Sequence, residues 1–210
     1  MRLTSRLVLV VLALVVLSAA TASAAVAYDR ASAATYADTY WQSYNPAWPS
    51  FAKKGGDCTN FVSQALYAGG IAMRPSPLYA GDAAWYMLQS KGRRWSNSLS
   101  WINVQSQRAF LQSLGATEVA SYYGVAPGAL VASNAAQGDV VLYDWDSDGV
   151  YDHDSIVVAS DDLNPGGTPN WDLVDAHTNN RYHAYWTLAQ YNGSWATTQI
   201  IVLHIPDTTS

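Results

Sequence analysis

The chain has one cysteine, Cys58, in 210 residues, so no disulfide can staple it internally. Charge is scarce, at 13% of residues, and skewed: 11 Lys and Arg stand against 16 Asp and Glu, for a net charge of −5. No basic stripe is present to neutralise phosphates, which excludes a nucleic-acid partner. Beyond residue 24 there is no apolar run near the roughly 20 residues that a membrane-spanning helix needs. Collagen-like and heptad periods, internal repeats and low-complexity tracts are all missing. With half of the residues hydrophobic, these absences leave a globular domain that buries its own core.

The first 24 residues have a separate character. Arg2 and Arg6 precede an apolar run over 7–17, and Ala22-Ser23-Ala24 forms an A-x-A cleavage pattern. This is the layout of a secretory signal peptide. A membrane anchor is the alternative, but the run is too short for a bilayer core of about 20 apolar residues. The expectation is a leader over 1–24 and one domain over 25–210, secreted or wall-associated, with no membrane contact after cleavage. Taking Arg2 and Arg6 from the basic count leaves nine against sixteen acidic residues, a net charge of −7. A lone Cys in an exported protein is a buried bystander, an intermolecular link or a reactive thiol.

Apolar spacing predicts an amphipathic helix over 29–44, stopped by Asn45-Pro46, and a second over 58–68, closed by Gly69-Gly70. A third is expected over 101–114, and 71–99 reads as mostly irregular. The second half turns to short β-branched and aromatic runs at 140–143, 155–159, 171–176 and 199–205, separated by Gly-, Asp- and Pro-rich turns such as 164–167. Helices first and strands later predict α+β, with N-terminal helices packed on a C-terminal antiparallel sheet.

Cys58 stands at the predicted start of the second helix, in Gly55-Gly56-Asp57-Cys58-Thr59-Asn60-Phe61. Asp57 is a candidate N-cap, its carboxylate accepting first-turn amides. A thiol at a helix N-terminus ionises more readily, and the same amides can hold an oxyanion. The bland alternative is a small core residue, the commoner fate of free Cys. A thiol nucleophile needs a base. His204 is expected to be a structural or surface residue on one face of the last strand, and His183 to be a solvated loop residue. His153 and His177 lie on adjacent predicted strands and can meet at one sheet edge.

Asp144, Asp146, Asp148 and Asp152 fall in a D-x-D-x-D-G run. These are oxygen ligands at the alternate positions of a calcium loop, but Ser155 stands where a bidentate Glu is required. A β-hairpin with an Asp-Gly turn that positions His153 is preferred, so no cofactor is expected, with calcium as the alternative. The four carboxylates are expected to raise the proton affinity of His153. Nine Trp are present. Trp48, Trp95, Trp145 and Trp186 sit in looplike surroundings, each a core residue or part of a groove.

The chain resembles the putative amidase-domain family, a branch of the papain-like cysteine hydrolases that includes the NlpC-type and CHAP cell-wall peptidases and amidases. The matching phrases are Tyr28-Asp29-Arg30, Tyr44-Asn45-Pro46, Gly55-Gly56-Asp57-Cys58-Thr59-Asn60-Phe61-Val62-Ser63-Gln64, Trp85-Tyr86, Ser100-Trp101, Gly138-Asp139-Val140, Asp148-Gly149 with Asp152-His153, and His177-Thr178. The resemblance implies a papain-like, NlpC-like fold and a cysteine-dependent amide hydrolase acting on cell-wall peptide or glycan. It implies Cys58 as nucleophile, its own amide in the oxyanion hole, and His153 as general base. His177 is implied as the residue orienting that base, with Asn179, Asp175 and Asp152 as rivals. Asp57, Trp85 and Trp145 are candidate substrate contacts. A non-catalytic wall-binding module predicts instead an unreactive Cys58; a calcium-stabilised export protein predicts that its melting depends on calcium.

Overall fold

The structure, a computed structural model, describes residues 26–92, 94–160 and 172–209. The expected leader over 1–24, Trp171 and the turn cluster at 164–167 lie outside the described residues. In chain order the elements are β1 (Val26–Ala27), α1 (Arg30–Tyr40), α2 (Cys58–Ala68), β2 (Met87–Gln89), β3 (Trp95–Asn97), α3 (Val104–Ser113), β4 (Thr117–Tyr123), β5 (Val140–Asp144), β6 (His153–Ala159), β7 (Leu173–Ala176), β8 (Arg181–Tyr185), β9 (Gln199–His204) and β10 (Thr208–Thr209). Six of the strands form one antiparallel sheet in the order β4-β9-β5-β6-β7-β8. Helices α1 and α2 pack on each other and on β6. The architecture is α+β, as expected. Among the described residues no helix is long and apolar enough to cross a membrane.

Strand alternation divides the core in two. Val140, Leu142, Ile156, Val158, Ile201 and Leu203 face the helices, with Phe61, Val62, Ala65 and Leu66 of α2 packed against them. Val141, Tyr143, Val157, Val174, Ile200 and Val202 face the opposite side, covered by Val125, Ala135, Trp186 and Leu188. Both faces of the central strands are therefore dry, which is why 199–205 reads as a nearly continuous apolar run. Burying each such side chain contributes roughly 1.5–3 kcal/mol.

Within the six-stranded sheet, the two strands that periodicity did not disclose are its edges. β4 and β8 carry mostly half-exposed or exposed residues, so Thr117–Tyr123 and Arg181–Tyr185 show no clear apolar pattern. His183 accordingly lies on strand β8, not in a loop, with Nε2 2.8 Å from Asp38 Oδ1. The irregular stretch 71–99 contains the small hairpin β2–β3.

α1 begins where Asp29 Oδ1 accepts the Ser32 amide at 2.9 Å. It ends at Tyr40, short of the expected residue 44, where the Tyr40 carbonyl meets His177 Nε2 at 2.7 Å. Its first residue, Arg30, reaches the sheet end, with Nη1 2.8 Å from Asp139 Oδ1. Buried Asp139 also accepts the Ile205 amide and faces His204 Nδ1 at 3.0 Å, which gives His204 a structural role, one of the two expected for it. Gly138 precedes it at φ +82, where a Cβ would lie 2.9 Å from the Tyr28 hydroxyl that donates to the Gly138 carbonyl. The Gly138-Asp139-Val140 phrase is thus a joint between α1 and the sheet.

Candidate active site

Cys58 opens α2, and its half-buried side chain lines a cleft of about 330 Å³ at one end of the sheet. Gly55 lies on the rim. Trp145, Asp152 and His153 come from the β5–β6 hairpin, Thr178, Asn179 and Arg181 from the β7–β8 connection, and Leu188 and Tyr191–Ser194 from the segment before β9. Register pairs Tyr143 with His153, so the hairpin sets the imidazole on the cleft lining. The Cys58 Sγ, a ring nitrogen of His153 and a carboxylate oxygen of Asp154 all lie within 4.8 Å of one another. Thr59 Oγ1 donates to Asp154 Oδ1 at 3.3 Å, and Cys58 Sγ is 3.9 Å from Thr59 Oγ1. First-turn amides of a helix lack intrahelical acceptors, so the tip of α2 offers donors beside the sulfur.

The electrostatics correct one expectation. His153 is almost wholly buried, and burial, aided by the Arg181 charge, moves its proton affinity below the usual imidazole value. Asp154 and Asp152 act the other way without overcoming the desolvation. The ring is therefore neutral near pH 7 and able to accept a proton. Asp154 shows the complementary effect. Burial first, then the Cys58 neighbour, holds its carboxyl well above the usual carboxylate range, and among the described residues its Oδ2 has no hydrogen-bond partner. Sequence reasoning passed over Asp154. The alternation of β6 places it on the α2 face, opposite His153, and only the position of the helix tip brings both to the sulfur.

The residues expected around this pair separate into cleft and scaffold. Trp145 lines the cleft and stacks on His153 with ring centroids 5.8 Å apart. Trp85 does not reach it: the indole is fully buried, stacked on Phe110, and Nε1 donates to Ser63 Oγ. Asp57 is also buried, so it is scaffold and not a substrate contact. Its carboxylate makes no first-turn cap. It accepts the Phe51 amide and Asn60 Nδ2 through Oδ1, and Oδ2 lies 2.9 Å from His177 Nδ1. His177 thus bridges Asp57 and the Tyr40 carbonyl, and its ring stacks on Phe61 at 4.0 Å. Both ring nitrogens point to these partners, leaving none for the expected bond to His153. Of the rival orienters, Asn179 and Asp152 line the cleft, whereas Asp175 accepts the His183 amide. Trp186 is core, and Trp48 and Trp95 pack together with ring centroids 6.1 Å apart.

In the aspartate loop, Asp144 accepts the Asp148 and Gly149 amides, Asp148 accepts that of Val150, and Asp152 that of Trp145. Asp144, Asp146 and Asp152 nevertheless offer oxygens within 4.8 Å of one another and could hold a cation. Asp38, Asp175 and His183 form another such group away from the cleft. There burial pushes the Asp175 carboxyl up to about 7.

The Gly-Gly approach is a close fit. Gly56 has φ +139, and a Cβ there would stand 3.2 Å from Thr178 Oγ1, which accepts the Asp57 amide at 2.8 Å. At Gly55, with φ +106, a Cβ would meet nothing within 4 Å. Gly55→Ala is therefore expected to cost about 1–2 kcal/mol of backbone strain. Gly56→Ala is expected to cost more and to displace Thr178 from the cleft. Urea denaturation of the two variants checks the difference; equal losses would show that the Thr178 contact carries nothing.

A profile of the family described as "Putative amidase domain" matches residues 27–201. The "Uncharacterized protein YhbB" of Bacillus subtilis (strain 168) is 34% identical over 187 residues, covering 87% of this chain and 52% of that protein. The chain thus spans about half the length of this relative. No solved structure matches.

Proposed function

Because the chain belongs to the "Putative amidase domain" family, we propose that it is a secreted cysteine amidase or peptidase acting on peptidoglycan or a related cell-wall polymer, and a relative of the papain-like and NlpC-type hydrolases. The observation that carries the reading is the meeting of the Cys58 sulfur, the His153 imidazole and the Asp154 carboxyl within 4.8 Å, on an open cleft at a helix N-terminus.

In this reading His153, neutral near pH 7, takes the Cys58 thiol proton as the sulfur attacks the amide carbonyl. The C–S bond forms, and the oxyanion is held by the Cys58 amide at the tip of α2. The C–N bond then breaks and His153 passes its proton to the leaving amine. Water, deprotonated by His153, attacks the thioester; the C–S bond breaks, His153 returns its proton to the sulfur, and the acyl group leaves as a carboxylic acid that ionises by releasing its proton to solvent. Trp145 gives the cleft an apolar wall against His153, and Asp154 and Thr59 hold the sulfur's surroundings.

The test is to incubate the protein with intact peptidoglycan sacculi and size the released fragments by mass spectrometry. Fragments with a new carboxyl and a new amine at a peptide or amide bond are expected. Intact sacculi, or fragments cut only at glycosidic bonds, would overturn the proposal.

A further inference from the structure

Among the described residues, Arg181 is the one Lys or Arg lining the cleft. It stands at the first position of β8, half-buried, with its guanidinium carbon 4.2 Å from the centroid of Tyr191, another lining residue. Nη1 donates to the Asn180 carbonyl at 3.1 Å. The ring and the carbonyl hold the guanidinium plane in place, yet among the described residues no ion pair of 4.0 Å or less involves it. The other charged group of the lining outside the reacting pair, Asp152, uses Oδ2 on the Trp145 amide.

A partly enclosed cation without a counter-ion, on a chain with net charge −5, calls for an explanation. Such a chain repels anionic substrates at long range. A planar guanidinium with donors to spare is the group that recognises a carboxylate through two parallel hydrogen bonds. The ring beneath it fixes that orientation in advance, so little freedom is lost when an anion arrives.

We infer that Arg181 and Tyr191 form an anion subsite, and that the substrate is a peptide amide carrying a free carboxylate close to the scissile bond. The inference rests on the amidase reading and adds to it the charge of the group that docks beside Cys58 and His153. Asp152 repels a carboxylate set against it, which confines the anion to the Arg181 end of the cleft. Docking there also acts on the base. The Arg181 charge disfavours protonation of His153, whereas Asp152 and Asp154 favour it. A carboxylate paired with Arg181 cancels part of the opposing field, so the base gains proton affinity when the correct substrate is bound.

The probe is a set of soluble disaccharide-stem peptides from sacculi, used with free carboxylates and again after their carboxyls have been amidated with carbodiimide and ammonia. The wild-type protein should favour the carboxylate form by about 10–100-fold in kcat/KM, the range of a charge-assisted hydrogen-bonded pair. Arg181→Gln should lose most of that preference, falling far more on the carboxylate form than on the amidated one, and Arg181→Lys should keep part of it. In Arg181→Gln the acid limb of the kcat/KM profile should move to higher pH, a change that mere loosening of β8 does not produce. Binding is measured separately by calorimetry on Cys58→Ala, where the carboxylate form should bind about 10–100-fold more tightly. Equal binding of the two forms, no binding of either, or an unchanged preference in Arg181→Gln would each overturn the subsite. Preferential binding without turnover by the wild type would sink the hydrolase reading alone.

Discussion

Cys58→Ala is expected to lower amide hydrolysis by a factor on the order of 10⁴ or more, because it removes the atom that forms the acyl-enzyme and no other thiol exists to replace it. The fold should survive. The side chain is half-buried, its sulfur lies 3.9 Å from Thr59 Oγ1, and alanine suits the first turn of a helix. A change within roughly 1 kcal/mol by denaturant titration is expected. His153→Gln should act on the same step, and the two losses should be far from additive, since sulfur and imidazole work as a unit. The pH profile adds a sign. Burial lowers the proton affinity of His153, so the form able to accept a proton persists below the ordinary imidazole range. The acid limb of kcat/KM should therefore fall below about pH 6.5, the unperturbed value. An active alanine variant would falsify the nucleophile assignment. A limb well above 6.5 would mean that the hairpin carboxylates, not desolvation, govern the base.

The second large effect concerns stability. Asp57 and His177 are both buried and 2.9 Å apart, and Asp57 also accepts from the Phe51 amide and from Asn60. Asp57→Ala strands these donors and leaves the His177 ring without its carboxylate. Removing one partner of a buried pair costs about 3–5 kcal/mol. The same substitution loosens the loop from Phe51 to the start of α2, so activity should fall along with stability. Asp57→Asn, which keeps an acceptor at Oδ1, should lose less. A double-mutant cycle with His177→Ala isolates the pair, with a coupling of about 0.5–3 kcal/mol expected. A coupling near zero would show that Asp57 matters only through Phe51 and Asn60.

His177 shows how far local pattern reaches. Its position at the end of a strand next to His153's strand was legible, and so was its polar setting. Its partners were not, because they come from Tyr40 and Asp57, 137 and 120 residues away in the chain. Trp85 is similar. It was a candidate substrate contact, and the decision for the core lay with Ser63 and Phe110, which sit on other elements.

Several features follow from local chemistry alone. The α2 boundaries at Cys58 and Ala68 came from an apolar stripe and a glycine stop, which depend only on neighbours three or four residues away. The central strands announced themselves through β-branched runs, since both faces of the sheet are dry. The single thiol placed at a helix start was already a candidate nucleophile. Tertiary structure alone decided that Asp154 joins Cys58 and His153, that desolvation outweighs the acidic hairpin, and that Arg181 faces the cleft from an edge strand. Those outcomes depend on which groups lose their water and on charges brought together across the sheet, and neither has a signature in the order of residues.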